Sequence, residues 1–71
     1  MYTTISFAAA LRLIGASYDH YFTGYQLSVN GQLVDVQLDH NTQTAEICSS
    51  DYISLSEIYR CGRCRVVAKY A

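Results

Sequence analysis

The feature that constrains this chain most is an Asn30-Gly31 pair between two stretches of alternating apolar and polar residues, 25–29 and 32–38. Asn-Gly is the preferred pair for a two-residue type I′ turn, because both turn positions need a positive φ. Such a turn fixes the register of the hairpin, so the apolar residues share one face. The expected partners are Val29 with Gln32, Leu27 with Val34, and Tyr25 with Val36.

Two capping signals predict short helices. Ser6 can cap a first helix whose residues Phe7, Leu11 and Ile14 share one face, and Gly15 is placed to end it. The sequence Ser54-Leu-Ser-Glu57 is a capping box, which predicts a second helix over residues 54–61.

Further strands are expected on both sides of the second helix. Residues 44–48 follow a turn at residues 39–42 and predict a strand with Ala45 and Ile47 facing inward. Residues 1–5 are a candidate edge strand. The final strand, residues 63–70, alternates, which places Cys64, Val66, Ala68 and Tyr70 on one face and Arg63, Arg65, Val67 and Lys69 on the other.

The element order predicts an α+β fold in a single domain over residues 1–71: helix, three-stranded antiparallel meander, short helix and final strand. The handedness of crossover connections favours the spatial order fourth, first, second, third, with the fourth strand parallel to the first and third. Both helices are expected on one face of the sheet. The other face then meets water or a partner.

Charge and hydropathy exclude some classes of protein. The chain has 71 residues and a net charge of −1, which argues against a general binder of polyanions. Its longest apolar stretch, residues 5–16, is well short of the ~20 residues of a membrane-spanning helix. With three cysteines and no export signal, we expect reduced thiols in the cytoplasm.

The motif Cys61-Gly-Arg-Cys64 has the spacing of half a zinc site. The other half would have to come from Cys48, His20 or His40, none of which has a matching second spacing. A redox role is disfavoured because the motif follows a predicted helix instead of preceding one. We therefore expect no metal and no cofactor. If a metal is bound, the expected ligands are Cys48, Cys61 and Cys64.

No residue pattern indicates an enzyme. Asp19-His20 and Asp39-His40 are acid–imidazole neighbours in predicted loops. Catalysis by a triad would also need an activated nucleophile and an oxyanion hole, and the sequence contains no nucleophile-elbow motif or glycine-rich phosphate loop. We expect a protein without catalytic activity.

The residues that best indicate a function are exposed aromatic and apolar ones. The chain has seven tyrosines, and Leu33 and Val67 fall on the face that is otherwise polar. The candidate partner-binding residues are Tyr18, Tyr21, Gln26, Leu33, Asp35, Gln37, Glu46 and Val67.

In its small size, motif-free α/β build and acidic, aromatic surface, the chain resembles the small single-domain inhibitors that phages and mobile elements encode, anti-CRISPR proteins among them. The resemblance implies a protein that occludes a functional surface of a larger host protein or complex. Separately, we expect a monomer or homodimer and no membrane partner. The first alternative is a small nucleic-acid-binding module that uses Arg63, Arg65 and Lys69 of the final strand. The second is a zinc-stabilised domain.

Overall fold

The structure is a computed structural model that describes residues 2–49, 55–60 and 65–71. It is an α+β fold with one antiparallel five-stranded sheet, in the order β1-β4-β3-β2-β5. The elements are β1 (Tyr2–Ser6), α1 (Phe7–Ile14), a 3-10 turn (Gly15–Ser17), β2 (Gly24–Val29), β3 (Gln32–Asp39), β4 (Thr44–Ser49), α2 (Leu55–Arg60) and β5 (Arg65–Tyr70).

The hairpin between β2 and β3 confirms the prediction from its turn residues. Asn30 has φ 52° and Gly31 has φ 79°, so both occupy the left-handed region that a type I′ turn requires. The pairs are Val29 with Gln32, Leu27 with Val34, and Tyr25 with Val36, as expected. The apolar residues of both strands consequently lie on one face, where they are buried.

The predicted first helix is confirmed, including both of its ends. The Ser6 hydroxyl accepts a hydrogen bond from the backbone N–H of Ala9 at 3.1 Å, and Gly15 follows the last turn with φ 64°. The helix buries Ala10 and Ile14 against the sheet. It contacts β1, β4 and β3, so it lies over the side of the sheet that carries the buried residues.

The order of the strands is confirmed, but the direction of the last strand is not. β5 lies beside β2 and runs antiparallel to it, whereas a parallel alignment with the first and third strands of the meander was expected. Ser49, the last residue of β4, pairs with Val34, and Arg65, the first residue of β5, pairs with Ser28, so both lie near the β2–β3 turn. β5 therefore begins at the end of the sheet where β4 finishes.

The predicted alternation of the final strand is wrong in its second half because of a β-bulge. Val66 pairs with Leu27, but the next pair is Ala68 with Gln26, so Val67 is an extra residue. Beyond the bulge, Tyr70 pairs with Gly24 and Lys69 with Tyr25. Ala68 and Tyr70 therefore share the face of Gln26, and Lys69 is paired on the other face.

The remaining predictions have mixed outcomes. Residues 2–6 form the candidate edge strand, paired with β4, and Ala45 and Ile47 are buried as expected. Ser54, Cys61 and residues 62–64 lie outside the described residues. Within the described ranges, no helix is long and apolar enough to cross a membrane.

Candidate functional site: the open face of the sheet

One side of the sheet, here called the open face, lies opposite α1. It is made by every second residue of β1 to β4 and, because of the bulge, by Arg65, Ala68 and Tyr70 of β5. Since paired residues in an antiparallel sheet project to the same side, the register identifies its members. They are Tyr2, Thr4 and Ser6 of β1; Thr44, Glu46 and Cys48 of β4; Leu33, Asp35, Gln37 and Asp39 of β3; Gly24, Gln26 and Ser28 of β2; and Arg65, Ala68 and Tyr70 of β5.

The central strand β3 shows most clearly that this face is uncovered. Its inward residues Val34, Val36 and Leu38 are buried, whereas every outward residue from position 33 to 39 is exposed. A central strand is flanked by strands on both sides, so its outward side chains are exposed only when no other element packs over them. Leu33 is 52% exposed in this position. The open face thus presents an apolar side chain to solvent.

Five of the predicted partner-binding residues lie together on this face. Asp35 pairs with Gln26 on one side and with Cys48 on the other. Gln37 pairs with Glu46 in the neighbouring row of the sheet. Leu33 is two residues before Asp35 on β3, beside Ser28. The five members are Gln26, Leu33, Asp35, Gln37 and Glu46.

The electrostatic character of the open face is acidic. Asp35, Asp39 and Glu46 supply carboxylates, and Arg65 supplies the opposing charge at the end of the face near Leu33. Asp35 makes no ion pair within the described part of the chain. Its charge is therefore available to a cation on a partner.

A shallow pocket of about 480 Å³ lies where the open face meets the turn between β3 and β4. The Asp39 carboxylate accepts hydrogen bonds from the backbone N–H groups of Asn41 (2.9 Å) and Thr42 (3.3 Å), and the ring of His40 lies 5.0 Å from that of Phe7. These two side chains therefore hold the turn in place. The pocket is lined by Thr23, Gln37, Leu38, Asp39, His40, Asn41, Thr44 and Glu46.

The edge of the open face carries a second group of interacting side chains. Tyr2 pairs with Cys48. The side-chain hydrogen bond between the two residues, and then the electrostatic effect of Cys48, raise the pKa of the Tyr2 hydroxyl. Partial desolvation and the carboxylate of Glu46 add to the effect, because each disfavours the charged phenolate. Tyr2 remains 75% exposed and is neutral at physiological pH.

The two tyrosines predicted to bind a partner lie in the connection between the 3-10 turn and β2, and their positions differ. The hydroxyl of buried Tyr25 donates to the carbonyl oxygen of Asp19 at 2.6 Å and accepts from its N–H at 3.0 Å, which fixes this connection. Tyr18 is half-buried, with its ring 6.3 Å from that of Tyr25. Tyr21 is 75% exposed and lies against His20, with ring centroids 4.2 Å apart.

The described residues expected for nucleic-acid binding or zinc binding do not lie together as the five residues of the open face do. The bulge separates Arg65, which is paired with Ser28 on the open face, from Lys69, which is paired with Tyr25 on the other face. Arg63, Cys61 and Cys64 lie outside the described residues, and Cys48 is half-buried on the open face. Among the residues that the structure describes, no three potential metal ligands cluster.

Sequence reasoning missed two exposed aromatic residues of the open face. Tyr2 alternates with Thr4 and Ser6, so the edge-strand hypothesis carried the signal that could have placed it. Tyr70, 47% exposed, was assigned to the other face, and no local signal could have placed it because the bulge depends on the pairing with β2. Val67, 44% exposed, lies at the bulge itself.

No family model, curated protein or solved structure matches this chain.

Proposed function

We propose that this protein is a small binding protein, an inhibitor or adaptor, whose open face occludes a functional surface of a larger protein. The observation that carries the proposal is the exposure of Leu33 beside Asp35 on the central strand. Interface energy is concentrated in a few apolar, aromatic or charged anchors. A leucine and a carboxylate with no ion pair in the described chain, held on a rigid strand, provide two such anchors.

The charge of the open face favours a partner with a basic surface. Asp35 and Glu46 lie in adjacent rows of the sheet, where they can oppose arginine or lysine side chains. Basic surfaces are common on proteins that handle nucleic acid, because such surfaces normally face phosphates. The resemblance to phage-encoded inhibitors of host defence supports the same class of partner, a nucleic-acid-handling complex of the host.

Two finer points belong to the proposal. We take both helices to cover the buried face, which leaves the open face free over its whole width. We also assign Tyr21 to the contact surface, because its exposed ring is an amphipathic anchor of the kind enriched at interfaces. Tyr18 has a supporting role, since it packs against Tyr25 and holds the connection that carries Tyr21.

The first experiment identifies the partner by site-specific photocrosslinking. A photoreactive amino acid replaces Leu33 on the open face, and a matched control replaces Ala8, which is exposed on α1. We expect a host protein that crosslinks from position 33 and not from position 8. Crosslinks of equal yield at both positions would show non-specific capture and contradict the proposal.

The second experiment measures affinity for the purified partner. Leu33→Glu and Asp35→Arg should each weaken binding at least ~30-fold, the effect of losing one well-placed anchor. The loss in Asp35→Arg should be greatest at low salt. Ala8→Glu and Ala8→Arg introduce the same charges on α1 and should leave binding unchanged. All four variants should keep the melting temperature of the parent.

One result would favour the nucleic-acid module instead. The purified protein would retain nucleic acid that nuclease removes, and Arg65→Ala or Lys69→Ala would abolish the retention while Asp35→Arg would not weaken it. The separation of these two basic residues onto opposite faces of the sheet disfavours this outcome.

A further inference from the structure

The two edges of the sheet differ in how well they are protected against pairing with another strand. β5 is interrupted by the bulge at Val67 and carries Arg65 and Lys69, and bulges and charges are the usual protection of an exposed edge. β1 has the sequence Tyr-Thr-Thr-Ile-Ser, with no charge, proline or glycine, and pairs with β4 without a register shift. β1 is therefore an open template for a further strand.

The hydrogen-bond pattern shows which backbone groups β1 offers. The N–H of Phe7 donates to the carbonyl oxygen of Gln43 at 3.1 Å, and these residues continue the β1–β4 register. In an antiparallel ladder, hydrogen-bonded pairs alternate with non-bonded ones. Ile5 and Thr3 therefore bond to β4. The N–H and C=O groups of Tyr2 and Thr4 point away from it, towards the free edge, as does the N–H of Ser6. The C=O of Ser6, the N-cap residue, is directed into the first turn of α1.

We infer that the free edge of β1 pairs with β1 of a second copy of this chain, which joins the two sheets across a twofold axis. The strand has an odd number of residues and its central one, Thr4, directs both backbone groups outward. Antiparallel pairing centred on Thr4 satisfies both groups in both copies. Ser6 of each copy then donates to Tyr2 of the other.

The side chains of β1 fit this arrangement. On the open face, Thr4 lies beside its own symmetry mate, a favourable cross-strand pair, and Tyr2 lies beside Ser6. On the buried face, Thr3 lies beside Ile5 and extends its apolar contacts. A strand without charges meets no like charge from its own copy, whereas a β5–β5 pairing would bring arginine and lysine side chains of two copies together.

The approach to this edge is open in the described structure. α1 follows β1 directly and contacts β1, β4 and β3, so it lies over the buried face of the sheet on the inner side of this edge. Tyr2 is exposed. The dimer also places two open faces side by side on one continuous sheet, although its formation does not depend on the function proposed for that face.

The experiment is a concentration series, from low micromolar to near millimolar, followed by light scattering and amide hydrogen exchange. We expect a monomer–dimer equilibrium in which the amides of Thr4 and Ser6 become protected as the dimer forms. The amides of Thr3 and Ile5 should be protected at every concentration, since they bond to β4. This alternation along one strand is specific to pairing at the β1 edge.

Thr4→Pro tests the same contact by substitution. Proline removes an N–H that points outward, which an edge strand tolerates, so the monomer should keep its melting temperature. Both copies lose their Thr4 donor, so the dimer dissociation constant should rise on the order of 30-fold or more. Thr3→Pro removes an inward bond and should instead lower the melting temperature. Val67→Lys, at the opposite edge, should leave dimerisation unchanged.

Three results would overturn the inference. The chain could remain monomeric throughout the series, the Thr4 amide could exchange at the unprotected rate in a dimer, or Thr4→Pro could dimerise as the parent does. The last two would assign the dimer to another surface.

Discussion

The two sides of β2 differ, although the same strand makes both pairings. Towards β3, the six residues of β2 pair in an unbroken register that begins at a two-residue turn. Towards β5, the register shifts between Gln26 and Leu27, and Val67 is the extra residue. From residue 33 to residue 39, β3 alternates strictly between exposed and buried side chains. Beyond the bulge in β5, each residue lies on the opposite face from the one that regular alternation predicts.

The difference teaches how the chain specifies a register. On the β3 side, Asn30 and Gly31 impose it through backbone conformation, before any tertiary contact forms. On the β5 side, the partner strand arrives from a distant part of the sequence, and no turn joins it to β2. Its register is set by which side chains pack best, and a bulge accommodates the mismatch.

Of three changes that test this comparison, deletion of Asp35 should lower the stability of the protein most. The turn holds residues 32–34 in place, so the deletion moves Val36 and Leu38 to the open face and brings Gln37 into the core. We expect a loss of stability above ~4 kcal/mol, enough to abolish cooperative unfolding. Chemical denaturation followed by circular dichroism measures it. A cooperative transition near that of the parent would show that β3 absorbs a shift as β5 does.

Gly31→Val should have the intermediate effect. A Cβ at position 31 meets no atom within 4 Å, so the cost is conformational and arises from a β-branched residue at φ 79°. It should be about 1–2 kcal/mol in the free energy of unfolding. Gly31→Asn is the matched control and should cost less, because asparagine adopts positive φ more readily. Equal stability of the parent and the valine variant would refute the role of the turn in fixing the register.

Deletion of Val67 should have the smallest effect. Without the extra residue, Val66 still faces Leu27 and Ala68 still faces Gln26, so a regular ladder forms with each side chain on its present face. The free energy of unfolding should change by less than about 1 kcal/mol, measured as for the Asp35 deletion. A loss as large as that of the Asp35 deletion would mean that the bulge is required and does not merely absorb a mismatch.

Much of the fold was predictable where one short segment carries the constraint. Ser6 and Gly15 delimited α1, because a capping hydroxyl and a residue with φ 64° act within one helical turn. The faces of β2, β3 and β4 followed from alternation. The cluster of Gln26, Leu33, Asp35, Gln37 and Glu46 was predictable for the same reason, since all five lie on these three regular strands.

The parts that could not be predicted depend on long-range pairing. Lys69 and Tyr70 alternate in the sequence as if β5 were regular, and only its alignment with β2 reveals the bulge. The exposure of Tyr21 and the half-burial of Tyr18 depend on Tyr25 of β2. Its hydroxyl binds the backbone of Asp19, and its ring lies near that of Tyr18. Neither arrangement leaves a periodic signal.

By itself, the sequence determined the β2–β3 register, the ends of α1 and the apolar face of the meander, because positive-φ turns, caps and side-chain alternation act over a few residues. Only the tertiary structure decided the antiparallel direction of β5, its bulge and the contrast between its edge and that of β1. These features depend on chain closure between distant segments. Local backbone preferences do not encode such closure, and the packing of the whole sheet selects it.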